Sequence, residues 1–200
     1  MVERWTRERR RDHTRSLLVD AAEEVFAEKG FTQAALDDIA HAAGFTKGAI
    51  YKHFGTKEEL FLAVSDRRLR HYFDDFAEIV STVTEVGKPE LDEIAKRWSR
   101  LSRYRGAEHA ALGYEFTLYL LRNPEARERV EAKRLEVVEE LATFITEGVD
   151  RIGGTLLIPA LTLAHLLITT TDAVVLGSRL NDIDLYRPIL DMYVSVIKLP

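Results

Sequence analysis

The sequence predicts an all-α protein: three helices in a small N-terminal domain, joined by a long helix to a larger C-terminal helical bundle. Three observations carry this reading. Apolar residues recur at helical spacing in almost every segment and none alternates at period two, so no sheet is expected. Gly30, Gly44, Gly55, Gly87-Lys88-Pro89, Asn123-Pro124, Gly153-Gly154, Pro159, Gly177 and Pro188 punctuate the chain into roughly nine helices. Charge also shifts along it: residues 1–70 carry 13 basic and 12 acidic side chains and the remainder 15 and 21, which marks a boundary near residue 72.

Leu17, Leu18, Ala21, Ala22, Val25 and Phe26 form one stripe on a first helix of about four turns, and Gly30 lies just beyond its end, where a left-handed cap is wanted. Two short helices follow over 36–43 and 47–53, joined by Gly44-Phe45-Thr46. A long fourth helix opens at Thr56. There Thr56-Lys57-Glu58-Glu59 is a capping box, in which the threonine oxygen serves the Glu59 amide and Glu59 reaches back. This helix is expected to run into the low 80s and, in the absence of any low-complexity linker, to join the two domains itself. Pro89 and Pro124 each fit the first turn of a helix, with Asn123 as the cap before the second. Two apolar helices close the chain, over 159–176 and 186–198.

Composition bounds what such a protein can do. Two hundred residues with 46% hydrophobic content are ample for a buried core. The net charge is −5, so bulk positive charge cannot hold the chain to a polyanion, and any nucleic-acid contact has to be local. The absence of cysteine removes disulfide scaffolds, thiolate zinc sites and cysteine nucleophiles. The first residues, Met-Val-Glu-Arg-Trp-Thr-Arg-Glu-Arg-Arg-Arg, are too charged for a signal peptide, so a cytoplasmic location is expected. The longest apolar stretch, 156–176, contains Pro159, His165, Thr169 to Thr171 and Asp172, and reads as a buried helix rather than a membrane span.

The most informative stretch is 35–54, from Ala35 to Phe54, which has helix-turn-helix grammar. Ile39, Ala40 and Ala43 face inward on its first helix, Gly44 makes the turn, Phe45 plugs the angle, and Ala49, Ile50 and Phe54 anchor the second helix. That leaves Thr46, Lys47, Gly48, Tyr51 and Lys52 on the outside. No acidic residue lies between His41 and Lys57, so the segment is locally positive, as a phosphate-facing surface requires. The bland alternative is a trihelical protein-binding module in which Tyr51 merely packs. It leaves the turn glycine, the outward lysines and the capping box coinciding by chance.

Ile39-Ala40, Ala43-Gly44-Phe45-Thr46-Lys47-Gly48, Ile50-Tyr51-Lys52-His53-Phe54 and Lys57-Glu58-Glu59-Leu60 together resemble the DNA-binding domain of TetR-family regulators. The resemblance implies a helix-turn-helix DNA-binding domain over 12–72 and an effector-binding and dimerisation domain over 73–200. It further implies a homodimer on double-stranded operator DNA that acts as a repressor and is released by a small organic molecule. Lys47, Tyr51 and Lys52 or His53 would meet the major groove, Gly48 would let the helix approach closely, and Thr46, Tyr51 and Lys57 would touch phosphates. One departure is visible: where the family commonly caps the second helix with Ser or Thr, this chain has Ala35, so Thr32 or Gln33 substitutes or the cap is lost. Arg9, Arg10, Arg11 and Arg15 either add a backbone contact or are simply solvated.

In the second half, Ile189, Leu190, Tyr193, Val194 and Ile197 line one side of the last helix with Met192 and Val196 beside them. The two apolar helices are expected to form a dimer's four-helix bundle, the alternative being core helices of a monomer. Candidate ligand contacts are Trp98, Tyr114, Thr117, Leu118, Leu121 and Phe144, with Tyr104, Phe116, Val138 and Leu141 as neighbouring aromatic or apolar positions. His165, Thr169 and Asp172, at i, i+4 and i+7, add a polar stripe on an oily helix. Buried polar groups need partners, and three satisfy this requirement: a ligand, another helix or the dimer mate. Glu115 is a further candidate for selecting a polar ligand, or else an exposed or Arg-paired carboxylate. No phosphate loop, dinucleotide fingerprint, zinc-protease motif or nucleophile elbow occurs, and the six histidines lack ligand spacing, so no catalytic residue, metal or cofactor is assigned. A plain helical ligand carrier would leave Lys47, Tyr51, Lys52 and Lys57 without a purpose.

Overall fold

The computed structural model describes residues 6–81, 88–103 and 106–199; Gly87 and Tyr104 lie outside them. Among the described residues are nine helices: α1 (Arg7–Gln33), α2 (Leu36–Ala42), α3 (Lys47–Phe54), α4 (Lys57–Ser81), α5 (Lys88–Arg103), α6 (Gly106–Arg122), α7 (Pro124–Arg151), α8 (Ala160–Asn181) and α9 (Tyr186–Val194). A two-residue antiparallel pair, β1 (Thr155–Leu156) and β2 (Ile197–Lys198), corrects the expectation of no sheet at all. Strands this short leave no alternation to read. Contacts divide the chain into two compact units, one of Met1–Leu69 with Glu115–Val130 and one of Arg70–Tyr114 with Glu131–Pro200. Both units are discontinuous, because α6 and α7 each change unit along their length.

In the first unit, α1 is far longer than its apolar stripe suggests. The oxygen of Thr6 caps it by accepting from the amide of Arg9, and the charged turns up to Ser16 continue the helix without needing a core. Leu18, Ala21, Ala22, Val25 and Phe26 are buried as expected, but Leu17 stands at the edge and Val19 takes its place inside. Gly30 does not end the helix; it breaks it. At φ 75°, ψ 166° it adopts backbone that a side chain disfavours, and residues 31–33 then turn again.

That break strips the amides of Phe31 and Thr32 of helical acceptors, and Glu115 of α6 takes both. Its two carboxylate oxygens accept from Phe31 N at 3.0 Å and Thr32 N at 2.8 Å. Burial pushes the Glu115 carboxyl up, but these donors and the charge of Lys57 outweigh it and hold it below the usual range. Around this contact Phe26, Phe31, Phe61, Phe116 and Tyr119 pack ring against ring, with Phe61 and Phe116 centroids 4.4 Å apart and Phe31 and Phe116 at 4.9 Å edge to face. Tyr119 donates to the Glu58 carboxylate at 2.6 Å, which pushes its own hydroxyl up to about 12. Arg67 of α4 meanwhile pairs with Asp20 and Glu23 of α1.

The capping box at Thr56 is half made. The Glu59 amide donates to Thr56 Oγ1 at 3.1 Å, whereas the Thr56 amide is already given to Phe54 O. Asn123 stands before Pro124 as expected, yet its side-chain amide closes the preceding helix by donating to Tyr119 O at 2.7 Å. α2 has no side-chain cap at Ala35, and Asp37 and Asp38 in its first turn complement the helix dipole instead.

In the second unit a core of Leu91, Ile94, Trp98, Val175, Tyr186 and Leu190 joins α5 to α8 and α9, with Trp98 edge-on to Tyr186 at 5.2 Å. Arg187 ties α9 to Asp92 of α5. α9 ends at Val194, earlier than expected, because Ile197 and Lys198 pair with β1. α8 is not the buried helix the sequence suggested: in its most apolar window only 22% is buried, and Leu161 and Leu166 are 41% and 45% exposed.

A Cβ at residue 30 would lie 2.7 Å from Glu115 Oε2 as well as meeting strained backbone. Gly30→Ala is therefore expected to destabilise the protein by about 2–4 kcal/mol through backbone strain and displacement of the Glu115 carboxylate. The urea midpoint of the unfolding transition measures this, and Ser16→Ala on the exposed side of the same helix should leave it nearly unchanged.

Candidate nucleic-acid interface

α2 and α3 meet across a turn in which Gly44 sits at φ 72°, and the Phe45 amide donates to Ala40 O at 2.8 Å. Ile39, Ala40, Ile50 and Phe54 are buried and Ala43, Phe45 and Ala49 half-buried, as the sequence reading placed them. Burial of Ile50 and Phe54 on one side of α3 turns the opposite side outward. Thr46, Lys47, Gly48 and Lys52 are exposed, Tyr51 is 51% exposed, and His53 is half-buried at the rim.

Each of these side chains is available to a partner to a different degree. Thr46 occupies the N-cap position of α3 without making a side-chain cap bond. Lys47 is paired with Asp37 of α2 at 2.9 Å, an exposed bridge that solvent screens, so an incoming phosphate can displace it. Tyr51 projects an aromatic ring and a hydroxyl from the middle of α3 with half its surface open, which argues against the packing role. His53 is held below its ordinary value by burial first, then by Arg11, Lys52 and Arg15. Lys57 stands apart from this face. Its ammonium donates to Thr32 O at 3.2 Å and lies 4.7 Å from the centroid of Phe31, and burial lowers its pKa.

Gly48 is the most telling residue of the face. A Cβ there would meet only Thr46 Oγ1 at 3.6 Å, ordinary contact, and its backbone is helical. Nothing inside the fold requires a glycine, and glycine costs helix stability. A side chain at this position would therefore be tolerated by the fold itself.

The nine candidate ligand residues are divided between the two units and differ in exposure. Trp98 is core, Phe144 is half-buried in a small cluster with Val138, Leu141 and Ala164, and Tyr114, Thr117, Leu118 and Leu121 are exposed along α6. The polar stripe of α8 splits: His165 and Thr169 face outward, while Asp172 is half-buried against Gly113, where a Cβ would collide with it. Glu115, a candidate for ligand selection, is committed to Phe31 and Thr32. The second unit instead holds a cleft of about 720 Å³ whose walls include Ser99, Glu108, Val175, Arg179, Asp182 and Tyr186, none of them singled out in the sequence. Its lining comes from the ends of α5 and α8 and the start of α6, a juxtaposition that no local spacing encodes.

An exposed, locally positive recognition helix held by a glycine turn on an all-helical scaffold defines a helix-turn-helix DNA-binding regulator. Residues 18–64 match the family described as bacterial regulatory proteins, tetR family. The chain is 25% identical over 178 residues to the uncharacterized HTH-type transcriptional regulator YfiR of Bacillus subtilis strain 168, a match spanning 82% of this chain and 80% of that protein. It is 34% identical over 110 residues to the uncharacterized HTH-type transcriptional regulator TtgW of Pseudomonas putida, covering 50% of this chain and 79% of that protein. Among solved structures, the transcriptional regulator FadR from Bacillus subtilis in complex with stearoyl-CoA superposes with a TM-score of 0.58 at 25% identity over 90% of this chain and 97% of that one. The chain belongs to the TetR family of DNA-binding transcription regulators.

Gly48→Ala separates the fold from the interface. It is expected to hold or raise stability, by up to about 0.5–1 kcal/mol, while weakening DNA binding tenfold or more. Thermal unfolding and a fluorescence anisotropy titration with duplex DNA read the two effects independently.

Proposed function

We propose that this chain is a homodimeric repressor that occupies a palindromic operator through the outer face of α3 and leaves it when a small organic molecule binds the second unit. The observation that carries the reading is Gly48 beside Lys47, Tyr51 and Lys52: an open, positive face with a glycine that the fold itself does not require. Lys47, Tyr51 and Lys52 would read base edges, and Thr46 and Tyr51 would hold phosphates. Lys57 would join them only by leaving Thr32 O. Repression follows from occupancy, since a dimer seated on its operator excludes other proteins from that stretch. The chain would act in the cytoplasm, where its DNA is, and catalysis has no part in this reading.

Two helix-turn-helix units must reach half-sites about 34–36 Å apart, which takes two copies. The uncovered apolar face of α8, with Leu161 and Leu166 beside His165 and Thr169, together with Met192 of α9, is the surface a second copy would cover. By length and composition alone α8 could also cross a membrane. Membership of a DNA-binding family favours the second copy.

The cleft of about 720 Å³ is of a size to take an organic effector. Its wall residue Tyr186 rests on Trp98, one of the expected ligand contacts. α6 changes unit at Glu115, so a shift of its first turns would pull on the carboxylate that holds Phe31 and Thr32. Coupling of about 1–3 kcal/mol would weaken operator binding some 5- to 150-fold, and operator would weaken effector binding equally.

Selection from random duplexes by the purified chain is expected to return a palindrome with half-sites one helical turn apart. Leu166→Glu on the uncovered face is expected to convert dimer to monomer by light scattering and to lower operator affinity at least tenfold. Enrichment of nothing above the starting pool would sink the reading.

A further inference from the structure

α1 continues past the core that gives it a reason to exist. At about 100° per residue, Arg7, Arg11 and Arg15 fall on the same side of the helix as Leu18, Ala22 and Val25, all three buried. The face that packs into the first unit therefore turns from apolar to guanidinium as it leaves it. This is the reverse of an ordinary solvated face, where arginines occupy the side away from the core.

The stripe emerges beside the end of α3. The guanidinium of Arg15 lies 4.8 Å from the ring centroid of Phe54, the last residue of α3, and the His53 ring is 6.3 Å from the same ring. Arg11 lies one turn further out and is exposed. Four cationic or titratable groups, Arg11, Arg15, Lys52 and His53, thus crowd one spot. The depressed pKa of His53 reports their mutual repulsion after burial, with no acid among its causes. Among the described residues no ion pair involves Arg7, Arg11 or Arg15. Like charges gathered in this way suit a polyanion, and the face next to them is the one proposed to lie on DNA.

We propose that Arg7, Arg11 and Arg15 form a phosphate-binding edge of α1 that extends the DNA interface beyond α3 and grips the backbone flanking the groove α3 enters. It rests on the operator-binding reading above. The edge carries no base specificity; it adds affinity and salt dependence.

The test uses the full-length chain and the duplex that the wild type selects, titrated at several salt concentrations. Arg15 is left in place because it packs on Phe54; Arg7→Gln with Arg11→Gln removes the two exposed guanidiniums. The slope of log K against log salt is expected to become shallower by about 0.9 for each phosphate no longer neutralised, about 1.8 per protomer, with the ranking of base substitutions in the operator unchanged. Arg9→Gln, on the opposite side of α1, should leave the slope as in the wild type. An unchanged slope in the double variant while the wild type still selects its operator would overturn this edge alone, as would an equal drop for Arg9→Gln. Failure of the wild type to select any duplex would overturn both the edge and the reading on which it rests.

Discussion

One carboxylate closes the break that Gly30 opens in α1. Without Glu115 the part-buried amide of Phe31 would be left without an acceptor at the edge of an aromatic core, at about 1–3 kcal/mol, and the exposed amide of Thr32 would turn to water. With it, the tail of α6 belongs to the first unit, and Phe116 and Tyr119 follow it into contact with Phe31 and Phe61. Gly30 is required twice, for its positive φ and for the room that Glu115 occupies. A ring cluster alone would bind the helices without fixing their register. Paired hydrogen bonds to two successive amides fix one position of α6 against α1.

The face proposed for DNA has to be reconciled with an acidic protein. The net charge of −5 works against binding at long range, so attraction has to be concentrated. The stretch from His41 to Lys57 holds no acidic residue, and the nearest carboxylate, Asp37, is bound to Lys47 in an exposed pair that a phosphate can replace. The C-terminal end of α3 then meets the arginines of α1 instead of acids. The acidic excess lies in residues 71–200.

Much of this was legible in the sequence, and the limits have physical causes. The order and type of the helices, the inward set of Ile39, Ala40, Ile50 and Phe54, and the outward set of Thr46, Lys47, Gly48, Tyr51 and Lys52 follow from local periodicity and turn chemistry. What depends on distant pairing could not be read. Glu115 lies more than 80 residues from the amides it caps, and nothing in its neighbourhood marks it as a cap rather than a ligand contact. Thr56 spends its amide on Phe54 O, which a motif match cannot anticipate. α8 reads as buried because its composition is apolar, yet only 22% of its most apolar window is buried within the chain. Chemical type alone marks ligand candidates, and it does not reveal that Tyr114, Leu118 and Leu121 are exposed along α6.

The DNA contact proposed for α3 rests on support that reaches from Gly30 to the tail of α6. Amide hydrogen exchange on the chain alone and saturated with its selected operator tests this most directly. The account expects DNA to slow exchange across α3, and also at Phe31 and Thr32 and along 116–120, because one cooperative unit carries them all. Protection confined to segments outside α3, or exchange in α3 that operator does not change, would contradict it.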